Sequence, residues 1–268
     1  MELIHGKTAL ITGASSGIGR AFALEIASQG GSLILTARSE DKLQELARQI
    51  RRQYNVSVTV IPADLAKPGA ANELMDAVYA AKLQVDLLVN NAGVGKWTDF
   101  LDEPLGSYEA MITLNITSLM ALTYLVLPQM LASGQGGIIN VASTGAFQPC
   151  PYIATYCATK AFVLSFSEAL HGEYQHRGIR ITALCPGNTD TGFQAEAQAN
   201  TDGMRADSPE TVARQGLKAL TQNRSYTIVG TDNYAQALLP RLLPRKTVIN
   251  IVASMMSRKI KKATLQPA

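Results

Sequence analysis

Tyr156 and Lys160 lie four residues apart in a stretch that reads as helix, so phenol and amine share one face. A tyrosine hydroxyl has an ordinary pKa of about 10, too high to trade protons readily near neutrality. A cation within about 4–6 Å favours the phenolate and lowers that value, which makes tyrosine beside lysine a workable general acid/base unit. Ser143 ends the strand just ahead of this helix, where its hydroxyl can donate to an oxygen on which negative charge develops. Asn115 sits early in a long apolar helix, a mildly unfavourable place for it. It either holds a water that relays protons to Lys160 or bonds a carbonyl inside the fold. Each residue also has an ordinary use: surface helices carry Tyr-x-x-x-Lys by accident, and serines satisfy their own turns. The elements that position them must decide.

Those elements begin with Thr8–Arg38. Thr8-Ala9-Leu10-Ile11 is short, apolar and β-prone, a buried strand. Thr12-Gly13-Ala14-Ser15-Ser16-Gly17-Ile18-Gly19 follows, and a helix opens at Gly17–Arg20. Strand, glycine turn and helix make the geometry that binds a dinucleotide pyrophosphate: glycines admit a tight turn and a close phosphate, and the helix N-terminus offers free N–H groups. A second strand, Ser32–Arg38, arrives about 20 residues on, as such a unit requires. It ends in Thr36-Ala37-Arg38, with no Asp or Glu to accept from an adenosine ribose. A guanidinium pairs with a 2′-phosphate, so the sequence predicts NADP ahead of NAD, with Ser15 and Ser16 adding hydroxyl donors. Ser39 reads as an N-cap that puts Glu40 and Asp41 in the next helix.

Strands and helices alternate along the chain, which implies a parallel sheet covered on both faces. The expected strands after Arg38 are Val56–Ile61, Val85–Val89, Ile138–Ser143, Ile179–Leu184 and Tyr226–Gly230. The expected helices carry Leu43, Leu46, Ala47 and Ile50; start at Pro68; run Ser107–Ser133; contain Tyr156 and Lys160; and restart at Ser208-Pro209. Residues 188–207 read as irregular. Asp64, Asn90–Gly93, Ser143 and Pro186-Gly187 all fall at strand ends, where a doubly wound sheet keeps its ligand crevice.

The 268 residues fit one α/β domain, 1–268, and 47% hydrophobic content supplies its core. With 24 Lys+Arg against 21 Asp+Glu, the net charge of +3 is no nucleic-acid footprint. The N-terminal residues lack the apolar stretch of a signal peptide. The richest apolar run, Leu119–Leu131, is broken by Thr123 and Pro128, so no membrane span is expected. Three cysteines without metal-like spacing and three scattered histidines predict reduced thiols, a cytoplasmic protein and no metal site.

Taken together, Thr12–Gly19, Asp64, Asn90–Gly93, Asn115, Ser143, Tyr156, Lys160, and Pro186-Gly187 with Thr189 and Thr191 resemble the short-chain dehydrogenase/reductase family. The resemblance spans about Lys7–Thr191. It implies a single-domain Rossmann fold of about seven strands, a nicotinamide cofactor, and a catalytic tetrad of Asn115, Ser143, Tyr156 and Lys160, with Lys160 also bonding the nicotinamide ribose. It further implies that Gly13 to Gly19 cradle the pyrophosphate and that Asp64 and Leu65 flank the adenine. Asn91, Ala92 and Gly93 would line the cofactor, and Pro186, Gly187, Thr189 and Thr191 would meet the nicotinamide carboxamide. A homodimer or homotetramer built on helices Ser107–Ser133 and Thr155–His176 is implied as well.

The expected reaction is hydride transfer between NADP and the carbonyl or alcohol of a mostly apolar small molecule, such as a ketone, a 3-oxoacyl compound or a steroid. Trp97, Phe147, Tyr152, Phe193 and Met204 are the apolar candidates near the pocket, and residues 191–207 a candidate lid. The alternative is a non-catalytic NADP sensor on the same fold. Residues 240–268 form a basic amphipathic extension, with Val248, Ile251, Val252, Met255 and Met256 on one face and Arg258, Lys259, Lys261 and Lys262 at its end. Covering the fold or a second subunit is taken ahead of contact with an anionic membrane.

Overall fold

A computed structural model describes residues 3–263; Met1, Glu2, the tail 264–268 and the side chains of Lys261, Lys262 and Ala263 lie outside it. Seven parallel strands form one sheet in the order β3-β2-β1-β4-β5-β6-β7. They are β1 (Thr8–Thr12), β2 (Ser32–Thr36), β3 (Val58–Val60), β4 (Leu87–Asn90), β5 (Gly136–Val141), β6 (Ile179–Cys185) and β7 (Tyr226–Ile228). β1, β4 and β5 are apolar runs because helices bury them on both sides. The order reverses between β1 and β4, which opens a crevice beyond their carboxyl ends.

One layer holds α1 (Gly17–Ser28), α2 (Glu40–Gln53) and α8 (Pro209–Thr221), packed on Ile11, Leu35 and Val89. The other holds α3 (Ala70–Ala80) and a continuous helix made of α4 (Leu105–Ile112), a π-helical turn (Thr113–Ser118) and α5 (Leu119–Ser133). This helix of 29 residues is long and apolar enough to cross a bilayer by length and composition. Here Leu122, Val126 and Met130 bury one face against the sheet, as the core helix of an α/β layer does. α6 (Ala154–Tyr174) lies beside it, and α7 (Phe193–Glu196), α9 (Thr231–Leu242) and α10 (Arg245–Ala263) complete the chain.

Several expected boundaries move. β5 starts at Gly136 rather than Ile138, because Gly136 and Gly137 pair with Ile179, Arg180 and Leu87; a Cβ at either would lie 2.6 or 2.9 Å from Met130 or Leu220. The third helix starts at Ala70, not Pro68; Gly69, with φ +82, makes the turn into it. Helix α9 was not expected at all: it buries only Ala237 and carries Pro240 inside it, so no apolar period marks it. The α8 start is as expected. Ser208 Oγ accepts from Thr211 N at 3.2 Å and Pro209 follows. Ser208→Ala should cost about 1 kcal/mol and lower the melting temperature by about 2–4 °C in a calorimetric scan.

Candidate active site

The crevice is built first from the glycine turn. Gly13 and Gly17 hold φ values of +65 and +52, and a Cβ at Gly19 would sit 2.3 Å from the Gly13 carbonyl oxygen. The turn is tied to β4. Thr12 Oγ1 accepts from the N–H groups of Asn91 and Ala92 at 2.9 Å each, and Asn91 Nδ2 donates to Thr12 O at 2.9 Å. The Asn91 side chain therefore positions the turn. Ser16, the residue before α1, makes no side-chain cap, which leaves the first N–H groups of that helix facing the crevice. The segment after β6 crosses the same turn: Thr191 Cγ2 lies 2.9 Å from where a Gly17 Cβ would be. Thr189 Oγ1 donates to Gly187 O at 3.2 Å, and Pro186 O accepts from Thr144 N at 2.9 Å, which joins this segment to the residue after Ser143. On the other flank, Asp64 Oδ1 accepts from Ala66 N at 3.2 Å and Leu65 is buried, its carbonyl bonded by Ser118 Oγ at 2.7 Å.

The four chemistry-bearing residues converge beyond β4 and β5. Ser143 Oγ accepts from Gly145 N at 3.1 Å and lies near enough to the Tyr156 hydroxyl to favour its ionised form. Lys160 Nζ is 5.7 Å from the Tyr156 ring centroid and 3.3 Å from where a Gly93 Cβ would be. Asn115 Oδ1 is 3.2 Å from that same point, so Gly93 is the spacer that lets β4's end run between the two. The π turn holds Asn115 fully buried, with Oδ1 accepting from Val94 N at 3.0 Å. Its Nδ2 donates to Val94 O at 2.9 Å and Thr159 Oγ1 at 3.0 Å. Of the two uses foreseen for Asn115, the structure displays bonding inside the fold.

Electrostatics differ from the sequence expectation at one point. Lys160 was expected to lower the Tyr156 pKa. Instead burial raises it, Cys157 adds to the rise, and Ser143 only partly opposes it. Lys160 Nζ donates to Val141 O at 2.7 Å rather than to the phenol. Burial in turn lowers the Lys160 pKa to about 8. The phenol is thus a neutral O–H donor near pH 7, and the amine beside it titrates close to neutrality.

A model of the short chain dehydrogenase family matches residues 7–202. The chain belongs to that family. This dehydrogenase is 31% identical over 264 residues to a very-long-chain 3-oxoacyl-CoA reductase of Rattus norvegicus, covering 96% of this chain and 83% of the rat protein. Its fold matches a short-chain dehydrogenase from Sphingobium yanoikuyae in complex with NADPH (TM-score 0.79, 31% identity, covering 89% of this chain and 96% of that one). It also matches a 7β-hydroxysteroid dehydrogenase (TM-score 0.84, 26% identity, 93% and 98% covered). The dehydrogenase is an NAD(P)-dependent oxidoreductase.

Sequence reasoning foresaw Phe193, Trp97 and Tyr152 around the dehydrogenase's crevice and missed Glu196, Ala197 and the placing of α10 beside them. Phe193 lies against Tyr156, ring centroids 5.5 Å apart. Glu196 pairs with Arg38 at 3.0 Å across 158 residues of sequence. Trp97 N donates to Ala197 O at 3.0 Å, and Lys259 Nζ to the carbonyls of Asn200 and Asp202 at 3.3 and 3.2 Å, so the 191–207 segment is held from both sides. Val248, Val252 and Met256 of α10 pack with Cys150, Ile153 and Cys157 against Trp97, Tyr152 and Tyr156. Only part of the expected apolar face of α10 turns inward; Ile251 and Met255 are exposed. Phe147 belongs to a separate core with Val163 and Tyr226, and Met204 is exposed, so neither is a pocket residue here. Among the described residues no cluster of His, Cys, Asp or Glu is disposed to hold a metal ion.

Proposed function

We propose that this chain is an NADPH-dependent carbonyl reductase of largely apolar substrates, with Tyr156 as the proton donor. One observation carries the reading: a buried, neutral phenol has Ser143 beside it and a lysine with pKa about 8 at 5.7 Å from its ring centroid, at the switch point of the sheet. A bound nicotinamide supplies the hydride. Ser143 donates a hydrogen bond to the substrate oxygen, Tyr156 gives it a proton, and Lys160 returns a proton to the phenolate. Asn115 is a positioning residue that holds the Val94 backbone against α6.

The residues present fit a dinucleotide. A Cβ at Gly13 or Gly19 has no room, α1 offers uncapped N–H groups, and the Ser15 and Ser16 hydroxyls make no hydrogen bond among the described residues. Ser15, Ser16, Gly17, Ile18 and Gly19 would hold the pyrophosphate. Asp64 and Leu65 would flank the adenine, and Ala92, Gly93, Pro186, Gly187, Thr189, Thr191 and Lys160 would face the nicotinamide half. Arg38 at the end of β2 favours NADP, because its guanidinium is two-thirds exposed and held only by a surface ion pair that a phosphate can replace. Arg38→Ala should weaken NADPH at least tenfold relative to NADH in fluorescence titrations; an unchanged ratio would remove the cofactor assignment.

The substrate class follows from the walls. Trp97, Tyr152, Val248, Val252 and Met256 make an apolar surround beside Tyr156, suited to the chain of a 3-oxoacyl thioester or to a steroid, and residues 191–207 serve as its lid. The test is NADPH consumption with a panel of ketones, 3-oxoacyl-CoA thioesters and steroids, run in parallel with NADH. Substrate-dependent oxidation is expected. NADPH that binds and is never consumed by any of them would make the chain a sensor instead.

A further inference from the structure

We propose that the exposed, basic and apolar surfaces of α9 and α10 dock this protein on an anionic lipid bilayer. Charge along the chain is segregated. Asp232 is the last acid, and the residues beyond it carry Arg241, Arg245, Lys246, Arg258, Lys259, Lys261 and Lys262. The rest of the chain is left with 17 cations against 21 acids, so a protein of net charge +3 is an acidic body with a strongly basic end. Arg241, Arg245, Lys246 and Arg258 are exposed, and none has an ion-pair partner among the described residues.

Exposed apolar side chains lie on the same two helices. Leu242 is 79% exposed, Ile251 54%, Leu239 51% and Met255 50%, and Leu238, Leu243 and Ile249 join them. α9 buries only Ala237, so it contributes little to the core. α10 divides its surface: Val248, Val252 and Met256 face the catalytic side, while Ile251, Met255 and Arg258, on the flank beside them, are exposed. Exposed aliphatic side chains interspersed with cations, and no carboxylate between them, match the boundary between lipid headgroups and acyl chains. A second copy fits worse, because a two-fold contact through this face would bring the same cations together across the interface. The acidic remainder would be repelled by an anionic surface, which orients the protein with α9 and α10 downward.

The experiment is co-sedimentation of the full chain with vesicles of phosphatidylcholine alone and of phosphatidylcholine mixed with phosphatidylglycerol. Wild type should pellet with the mixed vesicles and be released by added salt. Replacing Arg241, Arg245, Lys246 and Arg258 together by Gln should weaken binding on the order of 600-fold, at about fivefold per cation. Leu242→Ser with Ile251→Ser should weaken it about tenfold. Both variants leave the catalytic side of α10 intact, so activity on a water-soluble ketone should stay at the wild-type level. If the cation variant fails to fold, the salt dependence of wild type and the serine variant still decide. Pelleting no better with phosphatidylglycerol than without it would overturn the proposal. So would light scattering of a wild-type dimer that the serine variant turns into monomers, since a second copy would then own the face.

Discussion

Tyr156→Phe should lower kcat for carbonyl reduction by about a thousandfold, within the range of about 10²–10⁴ for loss of a positioned acid, while the NADPH dissociation constant stays within about twofold. The reason is local. The substitution removes one oxygen and leaves the ring against Phe193 and beneath Lys160. Ser143 keeps its bond from Gly145 N, so the loop ahead of α6 has no cause to move. What disappears is the O–H that burial keeps protonated. Steady-state kinetics paired with a cofactor fluorescence titration checks this. Near-full turnover in the variant would show that the proton comes from elsewhere.

Lys160→Met should remove most activity and yet make the protein more stable at neutral pH. Lys160 is 4% exposed, and burial drops its pKa from 10.5 to about 8. Between pH 8 and 10.5 the unfolded chain therefore binds more protons than the folded one, and wild-type stability rises with pH across that window. Below it the folded protein carries the full cost of a desolvated ammonium. Methionine has similar length and no charge. Its gain is partly offset by the loss of the bond to Val141 O, leaving a net of about 1–2 kcal/mol in the variant's favour at pH 7. Calorimetry at pH 7 and pH 10 should give a higher melting temperature for the variant at the first, with the gap closing at the second. In wild type the reduction rate should fall above about pH 8, as the ammonium that returns the proton is lost. A variant less stable at pH 7 would mean that packing and hydrogen bonding around Nζ outweigh the buried charge.

This trade has a recognisable physical basis: a site that works by shifted pKa values stores unfavourable burial, and the rest of the fold must support it. The support is visible in the glycines. Gly93 admits both Asn115 and Lys160 at its edge, and Gly95 lies within about a Cβ of both Phe193 and Tyr156.

Much of this was legible in the sequence because it is local or periodic. β1 and β2 are apolar runs, Leu43, Leu46, Ala47 and Ile50 repeat at helical spacing and are all buried, and Ser208-Pro209 opens a helix by its own chemistry. The tetrad could be named because strand ends of a doubly wound sheet must gather in one place. What could not be read depends on partners far along the chain. The two glycines of β5 belong to the strand because they pair with Ile179, Arg180 and Leu87, and Met130 and Leu220 leave no room there for a Cβ. The Arg38–Glu196 pair and the packing of α10 on Tyr152 leave no local trace. The sign of the Tyr156 shift depends on how deeply the ring is buried and on where the Lys160 ammonium points, neither of which a four-residue spacing specifies.

The most direct test follows the hydride itself. NADPH deuterated at the transferable position of its nicotinamide is mixed with the protein and a 3-oxoacyl-CoA or bulky ketone that it consumes. The expected product is an alcohol with deuterium on its carbinol carbon and a solvent-derived proton on its oxygen. An alcohol without the label, or label found in solvent, would contradict the mechanism.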